Sequence, residues 1–255
     1  KRMTEPKVSS LAKALHVLEC FTVDEPELGI TEISAKLGIG KSNTHNIIST
    51  YCQMGYLQQM PNRKYALGYK LLEHAFIINQ HLGYPRAVYD LLLETAERTD
   101  QIVYFGIPYG TDVLYLYVAH PIARMKELPY REILGEKSPL CTTSIGKAML
   151  ANMPEEEWPE RITKNLKKYT ENTITDPYEI ILELRRTRQR GYAIDDEEHE
   201  YNVRCVGVPV YNSAGQLIAG MSTSGPAQVM TDAKLMENAE ILQSAALRMR
   251  DRFYR

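Results

Sequence analysis

The sequence predicts an α+β protein in two parts: a winged helix-turn-helix over residues 1–68 and an antiparallel-sheet domain over residues 85–255, joined by a linker helix over residues 69–84. Three observations lead there. The chain has 255 residues, more than the roughly 100–200 of one usual domain. Its first 68 residues carry three segments of helical periodicity followed by two short β-forming runs. Beyond residue 100, strand-like runs come in turn-linked pairs between helical segments, the order of an antiparallel α+β domain.

Composition narrows the class. Apolar residues make up 44% and charged residues 24%, which excludes a disordered chain and a membrane-spanning one. Residues 1–10 are charged and polar without a signal-like apolar stretch, so a cytoplasmic protein with no membrane partner is expected. Cys20, Cys52, Cys141 and Cys205 lie far apart, with no CxxC or CxxH pair, and read as reduced thiols; no metal or cofactor is called for. Residues 1–70 carry nine Lys/Arg and six Asp/Glu, net +3, against net −5 for the remainder. Positive charge gathers where a polyanion would be met.

Along the chain, Leu11, Leu15, Leu18 and Phe21 recur at steps of four, three and three, placing a helix over about residues 10–21. Ile30, Ile33 and Leu37 mark a second helix, with Thr31 as its expected N-cap and Gly38 as its stop. In residues 41–54, Thr44, Ile47, Ile48 and Tyr51 share one face, opposite Ser42, His45, Asn46, Ser49 and Gln53. A Pro61-Asn62-Arg63 turn then joins two short β-formers into a hairpin. The linker helix clusters Leu72, Ala75, Phe76, Asn79 and Leu82 and has to bury that stripe; Gly83-Tyr84-Pro85 should end it. Next come a helix over about residues 86–98, a hairpin of residues 102–108 and 113–119, helices near 145–153 and 177–190, strands 206–211 and 217–223, and a last helix carrying Leu235, Ala239, Leu242, Ala246 and Met249.

The third helix reads as a recognition helix, because a helix fits the major groove and its N-terminal outward side chains meet base edges. Asn43, His45 and Asn46 are the candidates for base contacts, Asn being able to pair with adenine in bidentate fashion. Lys41 and Ser42 can hold phosphates at the helix N-terminus, and Arg63 and Lys64 at the hairpin tip can contact the backbone or the minor groove. The alternative from another class is a metabolite-binding module whose helix-turn-helix serves protein assembly only.

The runs Gly29-Ile30-Thr31-Glu32-Ile33-Ser34, Gly38-Ile39-Gly40-Lys41-Ser42-Asn43-Thr44-His45, Met54-Gly55-Tyr56-Leu57 and Lys64-Tyr65-Ala66-Leu67-Gly68 resemble the IclR family of bacterial transcriptional regulators. So do Pro139-Leu140-Cys141-Thr142-Thr143-Ser144-Ile145-Gly146-Lys147-Ala148, Gly191-Tyr192-Ala193-Ile194-Asp195-Asp196-Glu197-Glu198, and Arg204-Cys205-Val206-Gly207-Val208-Pro209-Val210 with Ser222-Thr223-Ser224-Gly225-Pro226. The resemblance spans nearly the whole chain; one departure is Asn46, where members often place Arg. It implies a ligand-responsive regulator of a catabolic operon, with a GAF-like antiparallel-sheet effector domain that senses a small-molecule carboxylate. It also implies a homodimer or tetramer on a palindromic double-stranded DNA operator.

Carried over by motif, the effector site draws on Ser144, Ile145, Asp195, Cys205, Ser222 and Ser224. The chemistry is compatible. A helix opening at Ser144 offers N–H groups and a favourable dipole to a carboxylate, Ser222 and Ser224 stand two apart on one strand face, and Asp195 suits a ligand hydroxyl. Each also has a plainer reading: solvated strand serines, a small buried Cys205, and an exposed acidic turn at residues 196–200. Met125, Leu128 and Tyr130 can form an apolar wall. No enzyme is expected. Cys205, His199 and Asp195 are too local for a nucleophile, base and orienter or for a zinc site, and Gly146-Lys147 lacks the Gly at 141 and the Ser or Thr at 148 of a phosphate loop.

Overall fold

The computed structural model describes residues 6–82, 84–124, 133–162 and 166–253, and the chain divides into two compact units, Lys1–Gly83 and Tyr84–Arg255. The first unit runs α1 (Ser9–Glu19), α2 (Ile30–Leu37), α3 (Lys41–Gln53), β1 (Leu57–Gln59), β2 (Tyr65–Leu67) and α4 (Lys70–Leu82). Its core gathers Val17, Phe21, Leu28, Ile33, Ile48 and Leu57, each such side chain contributing about 1.5–3 kcal/mol relative to exposure.

Two local expectations change. In α1, Leu11 and Leu15 are 56% and 49% exposed, while Val17 is fully buried and Leu18 packs on the core. The strip that meets the other helices is rotated from the leucine strip by about one residue's turn, a difference that sequence spacing cannot resolve. In α2, the N-cap is Gly29 and not Thr31. Glu32 reaches back to accept the Gly29 N–H at 2.5 Å, satisfying an otherwise orphaned donor.

The turn into α3 is built on Gly38, whose φ of 63° is the left-handed conformation that favours glycine. Ser34 pins it: its hydroxyl donates to the Ile39 carbonyl at 2.6 Å, and the Ile39 N–H returns to the Ser34 carbonyl at 3.2 Å. β1 and β2 pair antiparallel with Leu57 opposite Leu67, and Leu28 adds a single bridge to Tyr65.

The second unit runs α5 (Tyr84–Thr99), β3 (Ile102–Tyr109), β4 (Asp112–Ala119), β5 (Lys137–Pro139), α6 (Ser144–Ala151), α7 (Trp158–Arg161), α8 (Pro177–Arg190), β6 (Ala193–Asp196), β7 (Val203–Tyr211), β8 (Leu217–Pro226) and α9 (Asp232–Arg250). α5 begins at Tyr84, with Pro85 in its first turn, where a missing N–H costs nothing. Met125, Leu128 and Tyr130 lie outside the described residues.

The six strands form one antiparallel sheet in the order β5-β4-β3-β8-β7-β6. The sequence reading did not single out β5 and β6, since both are short and carry Pro139 or two aspartates in place of β-formers. α5 and α9 pack together against β3 and β7, and α6 lies across β6, β7 and β8. Gly207 and Gly220 let α6 settle onto the sheet. A Cβ at Gly207 would stand 2.6 Å from the Ser144 carbonyl oxygen, and one at Gly220 would stand 2.8 Å from Ile145. The far end of α6 is tied down as well. The Trp158 indole donates to the Leu150 carbonyl at 2.7 Å, and Arg188 donates to the carbonyls of Ala151 at 2.6 Å and Met153 at 2.7 Å, groups a helix end otherwise leaves unsatisfied. These contacts fix where the N-terminus of α6 points.

Candidate ligand cavity and nucleic-acid interface

In the first unit, Lys41, Ser42, Asn43, His45 and Asn46 are all exposed on the first turns of α3, while Thr44 and Ile48 hold the opposite face in the core. Thr44 donates its hydroxyl to the Gly40 carbonyl at 3.2 Å, so even the buried polar member of the helix is satisfied. At the hairpin tip, Arg63 is exposed with φ of 66°, and Asn62 holds the turn by accepting the Lys64 N–H at 2.9 Å. Lys64 pairs with Glu32 at 3.1 Å across exposed surface. Such an exposed pair is weak and yields readily to a phosphate. Glu32 is held below the usual carboxylate range, first by the Gly29 N–H and then by Lys64.

In the second unit, a cavity of about 130 Å³ opens at the N-terminus of α6. Ser144, Ile145, Asp195, Cys205, Ser222 and Ser224 all line it. Strand register explains the convergence, because Asp195 lies opposite Cys205 and Cys205 opposite Ser224 on three adjacent strands. The Cys205 thiol donates to the Ser224 hydroxyl at 3.2 Å, and burial pushes that thiol well above its ordinary range. It is no nucleophile at neutral pH.

At α6, Thr143 is the N-cap, and its hydroxyl accepts the Gly146 N–H at 3.2 Å. The Ser144 and Ile145 N–H groups precede the first intrahelical bond. Ser144 and Ser222, only 1% and 3% exposed, both line the cavity.

Residues that spacing did not single out complete the walls. Tyr104 from β3 and Tyr115 from β4 meet edge to face, with centroids 5.8 Å apart, and Ser138 from β5 bonds to Tyr115. His199 lies 3.3 Å from the Thr142 hydroxyl and packs on Tyr169. Alternation within residues 102–109 and 112–119 could have marked the tyrosines as facing one side, but not as cavity walls. Behind the wall, Lys147 is 1% exposed and its ammonium is bound by Glu198. A pair 51 positions apart leaves no local signal in sequence.

Asp195 accepts the N–H groups of Glu198 at 2.8 Å and His199 at 3.4 Å. Burial, helped by neighbouring Glu198 and opposed by Lys147, pushes its carboxyl up to about 7. The folded chain then holds a proton that the unfolded chain loses near pH 4. This contribution to stability is full below about pH 4, declines as pH rises toward 7 and is gone above it. His120, pulled down by burial, acts with the opposite sign, so the useful comparison is between the protein and a variant. Asp195→Asn cannot ionise and should show a shallower fall in Tm from pH 5 to 7 than the parent protein. Equal slopes by calorimetry would contradict the assignment.

Among the described residues, no helix is long and apolar enough to cross a membrane, and no group of three His, Cys, Asp or Glu side chains could hold a metal ion.

Two family models match the chain: the C-terminal domain of the bacterial transcriptional regulator IclR over residues 86–250, and the IclR helix-turn-helix domain over residues 10–61. The HTH-type transcriptional regulator XynR of Escherichia coli is 33% identical over 244 residues, 95% of this chain and 96% of that protein. The crystal structure of Thermotoga maritima IclR superposes with a TM-score of 0.73 at 30% identity, covering 95% of this chain and 97% of the other. An IclR homologue from Microbacterium hydrocarbonoxydans, solved with 4-hydroxybenzoate, gives a TM-score of 0.82 at 22% identity over 94% of this chain and 97% of its own.

Proposed function

Because the chain belongs to the IclR family of bacterial transcriptional regulators, we propose that it represses or activates a catabolic operon in response to a small organic acid bound at the N-terminus of α6. The observation that carries this reading is the polar cavity at the N-terminus of α6, lined by Ser144, Ile145, Asp195 and Ser222, all of them nearly inaccessible to solvent. That arrangement suits a carboxylate, as helix N-termini do for anions. A neighbour of the same fold solved with 4-hydroxybenzoate supports a small-molecule role for the domain.

On the DNA side, Asn43, His45 and Asn46 read base edges while Lys41, Ser42, Arg63 and Lys64 hold phosphates. The protein acts as a homodimer or tetramer on a palindromic operator. α4 supports pairing between copies, because Leu72, Phe76, Ile77 and Ile78 are 58–65% exposed, an apolar surface that a monomer in water has reason to cover. The effector changes DNA binding only to the degree that it binds one arrangement of the copies better than the other.

The test is selection of duplexes from a random pool by the full chain. The expected result is a two-fold sequence with half-sites separated by whole helical turns, about 10 bp each. Binding should weaken steeply with salt as phosphate contacts release counterions. An unsymmetrical site would overturn the two-fold assembly, and an affinity indifferent to salt would return the helix-turn-helix to a role in protein assembly.

A further inference from the structure

The cavity's lining says more about its ligand than that it is an acid. Among the described residues that line it, seven carry hydroxyls and three carry carboxyl groups, against four apolar ones, Ile133, Ile145, Val203 and Cys205. Small-molecule sites are ordinarily mostly apolar with a few polar groups; the described lining of this one is mostly polar. Asp195, Glu136 and Glu200 line it, and among the described residues no Lys or Arg does. Lys147 stands close behind, but its ammonium is bound by Glu198.

A ligand that fits must therefore satisfy two different demands. At the α6 end it meets donors: the Ser144 and Ile145 N–H groups and the Ser144 and Ser222 hydroxyls. At the β6 end it meets Asp195, which is 3% exposed and has one oxygen committed to the Glu198 and His199 N–H groups. A second carboxylate placed beside Asp195 would meet like charge once that carboxyl ionises, above about pH 7. A hydroxyl placed there donates to Asp195. The rings of Tyr104 and Tyr115 give an aromatic surface for the C–H side of a short chain. Size points the same way, since a cavity of about 150 Å³ is filled by a molecule of benzene's size, and this one is about 130 Å³.

We infer that the effector is a short polyhydroxylated monocarboxylic acid, its carboxylate on the N-terminus of α6 and a hydroxyl donated to Asp195. This rests on the reading of the cavity as the effector site. It assigns Asp195 and the two tyrosines the choice between hydroxy acids and the alkyl, aromatic and dicarboxylic acids that share the same head group.

The test uses the full chain and isothermal calorimetry with glycerate, threonate, arabinonate and gluconate. Each is matched by an alkanoate of the same length and by the corresponding polyol, with benzoate and the six-carbon aldarate as further probes. At least one hydroxy acid should bind ten-fold or more tightly than its alkanoate, its polyol, the aldarate and benzoate. At pH 8, where Asp195 is ionised, Asp195→Asn should weaken that hydroxy acid about 10- to 100-fold, as loss of a charged hydrogen-bond acceptor does, while leaving alkanoate affinity unchanged. Ser222→Ala should weaken both acids and serves where the first variant folds poorly. An alkanoate, aldarate or benzoate that binds as tightly, in a Ser222→Ala-sensitive way, would overturn the hydroxy-acid assignment and leave the effector site standing. Silence from the whole panel overturns the assignment; if pyruvate or another keto acid also fails to bind, the effector reading falls with it.

Discussion

Replacing both Asn43 and Asn46 with Ala should cost about 2–6 kcal/mol of operator affinity, taking about 1–3 kcal/mol for each bidentate base contact. The loss should be specific: affinity for unrelated duplex should change little, so the ratio of specific to non-specific binding collapses. Lys41→Ala should behave differently, weakening both kinds of duplex alike and reducing the salt slope by about one. Fluorescence anisotropy on the selected operator and on a scrambled duplex, across a salt series, separates the two. Both side chains are exposed on α3 opposite the buried Thr44 and Ile48, so their truncation leaves the core of the first unit intact. If the double variant lost operator and scrambled duplex equally, α3 would be holding the backbone and the base reading would lie elsewhere, Arg63 at the hairpin tip being the next candidate.

The second large effect is expected at the ion pair behind the cavity. Lys147→Met should destabilise the second unit by about 3–5 kcal/mol, because it strands the Glu198 carboxylate in a buried site. Burial already pushes Glu198 above its ordinary range, against the pull of Lys147. Protonation of Glu198 relieves part of the cost, so the defect should shrink as pH falls. The double variant Lys147→Met, Glu198→Leu should recover most of the loss, since replacing both charges by apolar groups is often neutral. Urea unfolding of the three variants at pH 6 and 8 measures this. The loop at residues 197–202 adds a second consequence. Thr170 and Thr173 hold the carbonyls of Glu197 and Glu198, and Asp195 holds the N–H groups of Glu198 and His199. Losing the ion pair should therefore loosen His199 and Glu200 at the cavity wall, weakening ligand binding even in the refolded double variant. A double variant as unstable as the single one would mean that the charges, and not their shape, are what the fold requires.

Much of the first unit was legible in the sequence because its signals are local. Helical spacing, the Gly38 stop and the Pro61-Asn62 turn each act within a few residues. Failures there were small and of one kind. Gly29 took the cap from Thr31 because Glu32 could reach back to its N–H, and α1 turned Val17 inward because the neighbouring helices meet that strip. In the second unit, β5 and β6 escaped notice since three or four residues with Pro or Asp carry no periodicity.

The sequence by itself determined the fold class, the polar face of α3 and, through its family motifs, six of the residues that line the cavity. These depend on short-range pattern or on shared motifs, which a linear chain displays directly. Only the tertiary structure decided that Asp195, Cys205 and Ser224 stand in one register row, that Tyr104, Tyr115 and Ser138 close the wall, and that Lys147 is consumed by Glu198. Register across three strands and a contact spanning 51 positions are long-range pairings, and α6 comes close to the sheet only where Gly207 and Gly220 leave room. Packing joins residues by distance in space, and distance along the chain carries no record of it.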